Sequence, residues 1–192
     1  MEIYPIVLAG TIFASVGWFI FSYNRLAEYK ARAHNHWHQI NVQLQRRYDL
    51  IPNLVETART TMNFEKSTLE SVVQARNMAA RTLQGIKGNL TAEKMEALFQ
   101  ADQLLTSNMH KFLAVVEQYP NLRSVENMRC LHEELVSTEN RIAFARQAYN
   151  DAVTRYNESQ MRIPTKWIAS CTEHAPMEFY PISSEEVKNS FR

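Results

Sequence analysis

The amino-acid sequence predicts an all-α protein: an N-terminal transmembrane helix followed by an antiparallel four-helix bundle with long helices. Three observations lead there. Residues 3–22 carry no charge, apolar residues recur at alternating steps of three and four between 128 and 156, and only 4 glycines and 6 prolines punctuate 192 residues. A sandwich, a barrel or a βαβ fold needs more turn residues and strand-type periodicity.

The first element is the span from Ile3 to Ser22, IYPIVLAGTIFASVGWFIFS, of which ten residues are Ile, Leu, Val or Phe. As a helix it measures roughly 30 Å, the thickness of a bilayer's hydrocarbon core. Tyr4, Trp18 and Tyr23 lie near its ends, where amphipathic rings settle at the headgroups. No Lys or Arg precedes the apolar run and no small-x-small site follows it, so an uncleaved anchor over residues 1–23 is expected rather than a secretory signal. Arg25, Lys30 and Arg32 follow the span while Glu2 alone precedes it. By the positive-inside rule the N-terminus, Met1 and Glu2, then lies outside and the domain in the cytoplasm.

Residues 24–163 form the bundle, with helices expected at about 24–61, 63–84, 91–118 and 124–160. Pro52 removes a donor inside the first and predicts a kink or restart near Ile51. Asn63, or Ser67 with Glu70, can cap the second. Gly85 and Gly88 supply the positive φ that ends it, and Thr91 caps the third. Pro120 stops the third and Ser124 caps the fourth.

The fourth helix has the clearest seam: Met128, Leu131, Leu135, Thr138, Ile142, Ala145, Tyr149, Ala152 and Tyr156. Val136, Ala143 and Val153 widen it beyond a two-stranded coiled coil, as expected of a bundle member. Leu98, Ala101, Leu105, Asn108, Phe112 and Val115 repeat the period in the third helix; Leu69, Val72, Val73, Arg76, Ala79, Ala80 and Leu83 do so in the second. Residues 164–192 contain two further prolines after Pro164 and no sustained period. They are expected to be an irregular tail, ordered only if Trp167, Phe179 and Tyr180 find a groove.

The stretches QINVQLQRRYDLIPNLVETA (39–58) and TENRIAFARQAYNDAVTRYN (138–157) resemble the two signature stretches of the LemA family. The order of membrane helix, WHQINVQLQRRYDLIPNLVE, YPNL turn and long final helix extends the likeness over nearly residues 1–164. The tail is a looser match. The resemblance implies a protein anchored in a bacterial inner membrane by one helix, with an outward N-terminus and a helical-bundle domain. Some relatives are associated with magnetosome membranes. The family's molecular activity is not established, so the resemblance implies architecture and no chemistry.

The residues themselves point away from catalysis. A di-metal bundle presents Glu-x-x-His pairs, and this chain has none. His34 and His38 share a helical face with His36 nearby, the weak candidates for a metal, but no neighbouring carboxylate or thiol completes a ligand set. Cys130 falls at an outward position, and Cys171 beside Glu173 and His174 does not make a triad. Walker and Rossmann glycine spacings are missing. With 21 basic and 20 acidic side chains, the chain lacks the charge excess of a nucleic-acid binder. No catalytic residue and no cofactor are expected; the partners are the lipid bilayer, through the N-terminal helix, and an unknown protein.

The signature stretches also hold polar residues: Arg47, Asp49, Asn53, Asn108, Glu139, Asn140 and Arg141. At seam positions an unpaired group costs about 1–3 kcal/mol, so these are expected to be structural, paired inside the bundle and fixing its register. The expected role is a non-enzymatic scaffold that recruits another protein to the membrane; a membrane-linked sensor is the alternative.

Overall fold

Helix α1 (Ile3–Thr61) is unbroken for 59 residues. At 1.5 Å per residue it is about 88 Å long, and its two parts meet different surroundings. Ile3, Tyr4 and the stretch from Ile6 to Phe21 are exposed, with Tyr4 and Phe13 at least 80% accessible, and no atom of another element approaches the Cβ positions of Gly10 and Gly17 within 4 Å. From Leu26 onward one face is buried, through Ala33, Ile40, Leu44, Tyr48, Ile51, Leu54 and Ala58. The apolar N-terminal stretch and the first bundle helix are therefore one rod.

The structure, a computed structural model, describes residues 3–61, 66–86, 90–119, 125–172 and 174–181. Among them are four further helices, α2 (Lys66–Gly85), α3 (Ala92–Glu117), α4 (Glu126–Met161) and α5 (Thr165–Cys171), and no strand. α4 lies along α1 in the opposite direction, pairing Tyr156 with Leu26 and Glu134 with Arg46. α2 and α3 pack as a second pair and complete the bundle. The main core holds about 26 buried residues from α1 to α4 together with Tyr180.

The seams lie inward as their period requires. Met128, Leu135, Thr138, Ile142, Tyr149, Val153 and Tyr156 of α4 are buried, as are Leu98, Ala101, Leu105 and Phe112 of α3 and Leu69, Val72, Ala79 and Leu83 of α2. Val136 and Val73 face outward instead, 47% and 38% exposed, because each lies a position beyond the width that two neighbouring helices can cover.

Pro52 does not interrupt α1. The carbonyl it cannot serve is that of Tyr48, four residues back, and this oxygen accepts a hydrogen bond from Arg76 Nε of α2 at 2.9 Å. A donor from a second helix replaces the lost N–H, so the ladder continues without a restart.

The helix ends differ from the expected caps. Gly85 is the last residue of α2 and its φ lies outside the left-handed region. Ser67 sits within the first turn of α2, and Thr91 holds the cap position of α3 with extended backbone but no side-chain hydrogen bond. Val125 precedes α4, which starts at Glu126. Asn63, Gly88, Pro120 and Ser124 lie outside the described residues.

The tail combines a short helix with a stretch of no regular secondary structure. Residues 165–171 are helical, and 174–181 run extended along α4 with Tyr180 only 1% exposed. The groove between α1 and α4 accepts Tyr180 alone of the three aromatics: Trp167 is 65% and Phe179 48% exposed.

Candidate functional site: an ionic cluster beneath the C-terminal segment

Arg47 of α1 points into the bundle, as the seam around Leu44, Tyr48 and Ile51 dictates, and is 4% exposed. A buried guanidinium requires partners. Its Nη1 donates to Asp102 Oδ1 at 3.1 Å and its Nη2 to Thr106 Oγ1 at 2.8 Å, both on α3. Glu139 Oε1 of α4 lies 3.6 Å from Nη2. The second oxygen of Asp102 accepts from Arg146 Nη2 of α4 at 2.6 Å. Two arginines thus share one buried carboxylate, and Glu139 brings the four charges to neutrality.

Tyr180 roofs this cluster. Its ring faces the Arg146 guanidinium, whose carbon is 4.7 Å from the ring centre, and its hydroxyl is 3.4 Å from Arg146 Nη2. Trp37 and Phe99 flank it at ring separations of 6.5 and 6.3 Å. Burial pushes the Tyr180 hydroxyl up to about 12, against the opposing pull of Arg146. Burial, helped by the Asp102 charge, raises the Tyr48 phenol further, and its hydroxyl has no hydrogen-bond partner among the described residues. Neither phenol exchanges a proton near neutral pH.

The segment is held by its backbone. Asn150 Oδ1 accepts from the Tyr180 N–H at 2.8 Å and its Nδ2 donates to the Tyr180 carbonyl at 3.0 Å. Asn157 treats Met177 in the same way, at 2.9 Å for both bonds. Two turns of helix separate the asparagines, about 10.5 Å, and three extended residues separate their targets, about 10 Å. The two repeats match, so the amides act as consecutive rungs. Tyr149 donates to the Glu178 carbonyl at 2.8 Å, while Tyr156 and Gln160 both reach the Ala175 carbonyl at 3.3 Å.

Outside the cluster, α3 and α4 leave an open cleft of about 520 Å³. Arg47, Asp102 and Arg146 form its floor, with His110, Lys111 and Glu139 among its lining. Arg47 donates to Asp102 and Thr106, and Arg146 to Asp102, which suits a locked structural core. The lining is a polar, concave surface.

Of the seven signature polar residues, the structure brings only Arg47 and Glu139 together here. Asp49 is exposed, 3.0 Å from Gln45 Nε2 and 3.6 Å from Arg76. Asn53 is exposed, and Asn108 is half-buried with its amide on the Leu104 carbonyl. Asn140 and Arg141 face solvent. Sequence reasoning missed Asp102, Arg146, Tyr149, Asn150 and Asn157. The available signal was a carboxylate between the seam positions Ala101 and Leu105, and two asparagines seven residues apart on one helix.

His34 and His38 are exposed on α1. Among the described residues no group of three His, Cys, Asp or Glu side chains gathers in a ligand set. Cys130 and Cys171 are exposed free thiols. Glu126 accepts from Cys130 Sγ at 3.5 Å and holds that thiol above its ordinary range, which opposes thiolate formation.

The chain is similar to proteins named "Magnetosome protein MamQ". Two from Paramagnetospirillum magneticum, MamQ 1 and MamQ 2, are each 27% identical over 72% of this chain. MamQ of Magnetospirillum gryphiswaldense is 24% identical over the same share. The chain spans 57% of the length of these curated relatives. The family model of LemA matches residues 36–191, from within the bundle part of α1 through the clasped segment, and the chain belongs to the LemA family.

Proposed function

We propose that this protein is a non-enzymatic scaffold, held in the bacterial inner membrane by a single pass of α1, which recruits a protein partner through the bundle. One observation carries the reading. The same helix that is exposed and apolar from Ile6 to Phe21 is the central core element further on, so bilayer and docking surface are joined without a hinge. A helix long and apolar enough to cross a membrane, and relatives named for a membrane organelle, support the location. The basic residues after the span support an outward N-terminus and a cytoplasmic bundle. The neutral locked cluster and the phenols held protonated support a role without reaction chemistry.

A reporter fused after Arg192 tests orientation, with activity expected only in the cytoplasm; periplasmic activity reverses it. A photo-crosslinker at Ser107, in the cleft, tests recruitment in intact cells. A discrete cross-linked protein, lost when α1 residues 3–22 are replaced by a soluble tag, is expected. Absence of any cross-linked species across growth conditions removes the scaffold reading.

The unbroken α1 also favours a second reading, a sensor in which the span relays its state to the bundle. Two glycines inserted after Asn24 would uncouple a relay and leave tethering intact. Loss of the cellular phenotype with partner cross-linking unchanged would select the relay.

A further inference from the structure

We infer that the corner between α4 and α5 is a second membrane contact, binding anionic phospholipid headgroups at the interface; this rests on α1 spanning the bilayer. Three large apolar side chains project there without cover: Met161 and Ile163, at least 73% exposed, and Trp167 at 65%. Such exposure is costly for a chain end facing water and ordinary for one facing lipid.

The register places the corner at the right depth. Tyr156 packs on Leu26, and α4 runs antiparallel to α1. Five residues further along α4, about 7 Å, brings Met161 opposite Phe21, at the end of the apolar span. The two elements also share a cleft of about 260 Å³, lined by Trp18 and Phe21 from the span together with Arg25, Arg155, Arg162 and Ile163. Glu158 also lines it and lies 3.5 Å from Arg162, so three guanidinium groups face one carboxylate. Lys166, exposed beside Trp167, adds to the positive rim.

Apolar tips at the level of the acyl-chain boundary, with Arg162 beside them and Arg25 and Arg155 one to two turns further from the bilayer, match the chemistry of an anionic lipid: phosphate above, hydrocarbon below. The consequence is orientation. One spanning helix leaves the rod free to tilt and spin, and a second contact on α4–α5 fixes which face of the bundle looks along the membrane.

The test uses the full chain in vesicles of phosphatidylglycerol and phosphatidylcholine whose acyl chains carry bromine near the headgroup. One variant keeps Trp167 as its sole tryptophan (W18F, W37F) and another keeps Trp18 (W37F, W167F); circular dichroism checks that both retain the helical fold. Expected is blue-shifted emission from both tryptophans with most of the intensity quenched, and weaker quenching of Trp167 when phosphatidylglycerol is omitted. Quenching of Trp18 with Trp167 emitting as in water overturns the second contact and leaves the anchor in place. Quenching of neither overturns the anchor and this inference with it. Equal quenching of Trp167 with and without phosphatidylglycerol overturns the recognition of anionic headgroups.

Discussion

Arg76 of α2 donates its Nε hydrogen to the carbonyl of Tyr48 on α1, the oxygen that Pro52 leaves without its helical donor. The pair explains how a proline sits inside a 59-residue helix that does not break. Arg76→Met removes the replacement donor. The expected loss is about 1–3 kcal/mol, at the low end because a quarter of the Arg76 side chain is exposed and water can reach the site. Pro52→Ala supplies the helical N–H that proline lacks, so the same Arg76 change should cost less in that background. Urea unfolding of the four proteins of this cycle measures the coupling, and additive effects would refute it.

Asn150 and Asn157 each satisfy both backbone groups of one tail residue. Asn150→Ala strands a buried N–H and carbonyl at Tyr180 and should destabilise by about 1–3 kcal/mol. Asn150→Asp keeps the acceptor and loses the donor, so an intermediate loss is expected. Hydrogen exchange of the Met177 and Tyr180 amides reads the effect directly: both are protected in the parent and should exchange faster in the variants.

Removing Arg47 leaves Asp102 buried with Arg146 alone. Arg47→Met is expected to cost about 3–5 kcal/mol, the penalty of breaking a buried ion pair from one side. The exposed pair Arg46 and Glu134, 2.6 Å apart, should by contrast contribute no more than about 1 kcal/mol. Denaturant midpoints of Arg47→Met and Arg46→Met separate the two cases.

Alkaline pH should weaken the clasp at Tyr180. Its folded pKa, about 12, lies above the ordinary 10. The group therefore contributes stability that is full below pH 10. Between pH 10 and 12 the unfolded chain ionises first, and stability falls by about 1.4 kcal/mol per pH unit for this one proton. Tyr180→Phe should flatten the dependence in that window when unfolding is followed against pH; an unchanged slope would assign it to other phenols.

A charge in the middle of the span should defeat the anchor. Ile12→Arg costs about 3 kcal/mol on the insertion scale. Less of the protein should then resist alkaline extraction from membranes, while Val136→Arg on the outer face of α4 should leave the membrane fraction unchanged.

By itself the sequence determined what depends on local pattern and length. Twenty uncharged residues suffice for a bilayer span, and steps of three and four decide which faces of α3 and α4 turn inward, because both follow from the helical repeat and the cost of hydrating apolar groups. The tertiary structure alone decided what depends on distant chain segments meeting. Arg47 found Asp102, 55 residues away, and Tyr180 found a groove built by α1 and α4. No local period encodes either pairing. The same fact let Arg76 repair the proline break: a hydrogen bond across the bundle is set by where two helices come to lie, and their own sequences specify only that they are helices.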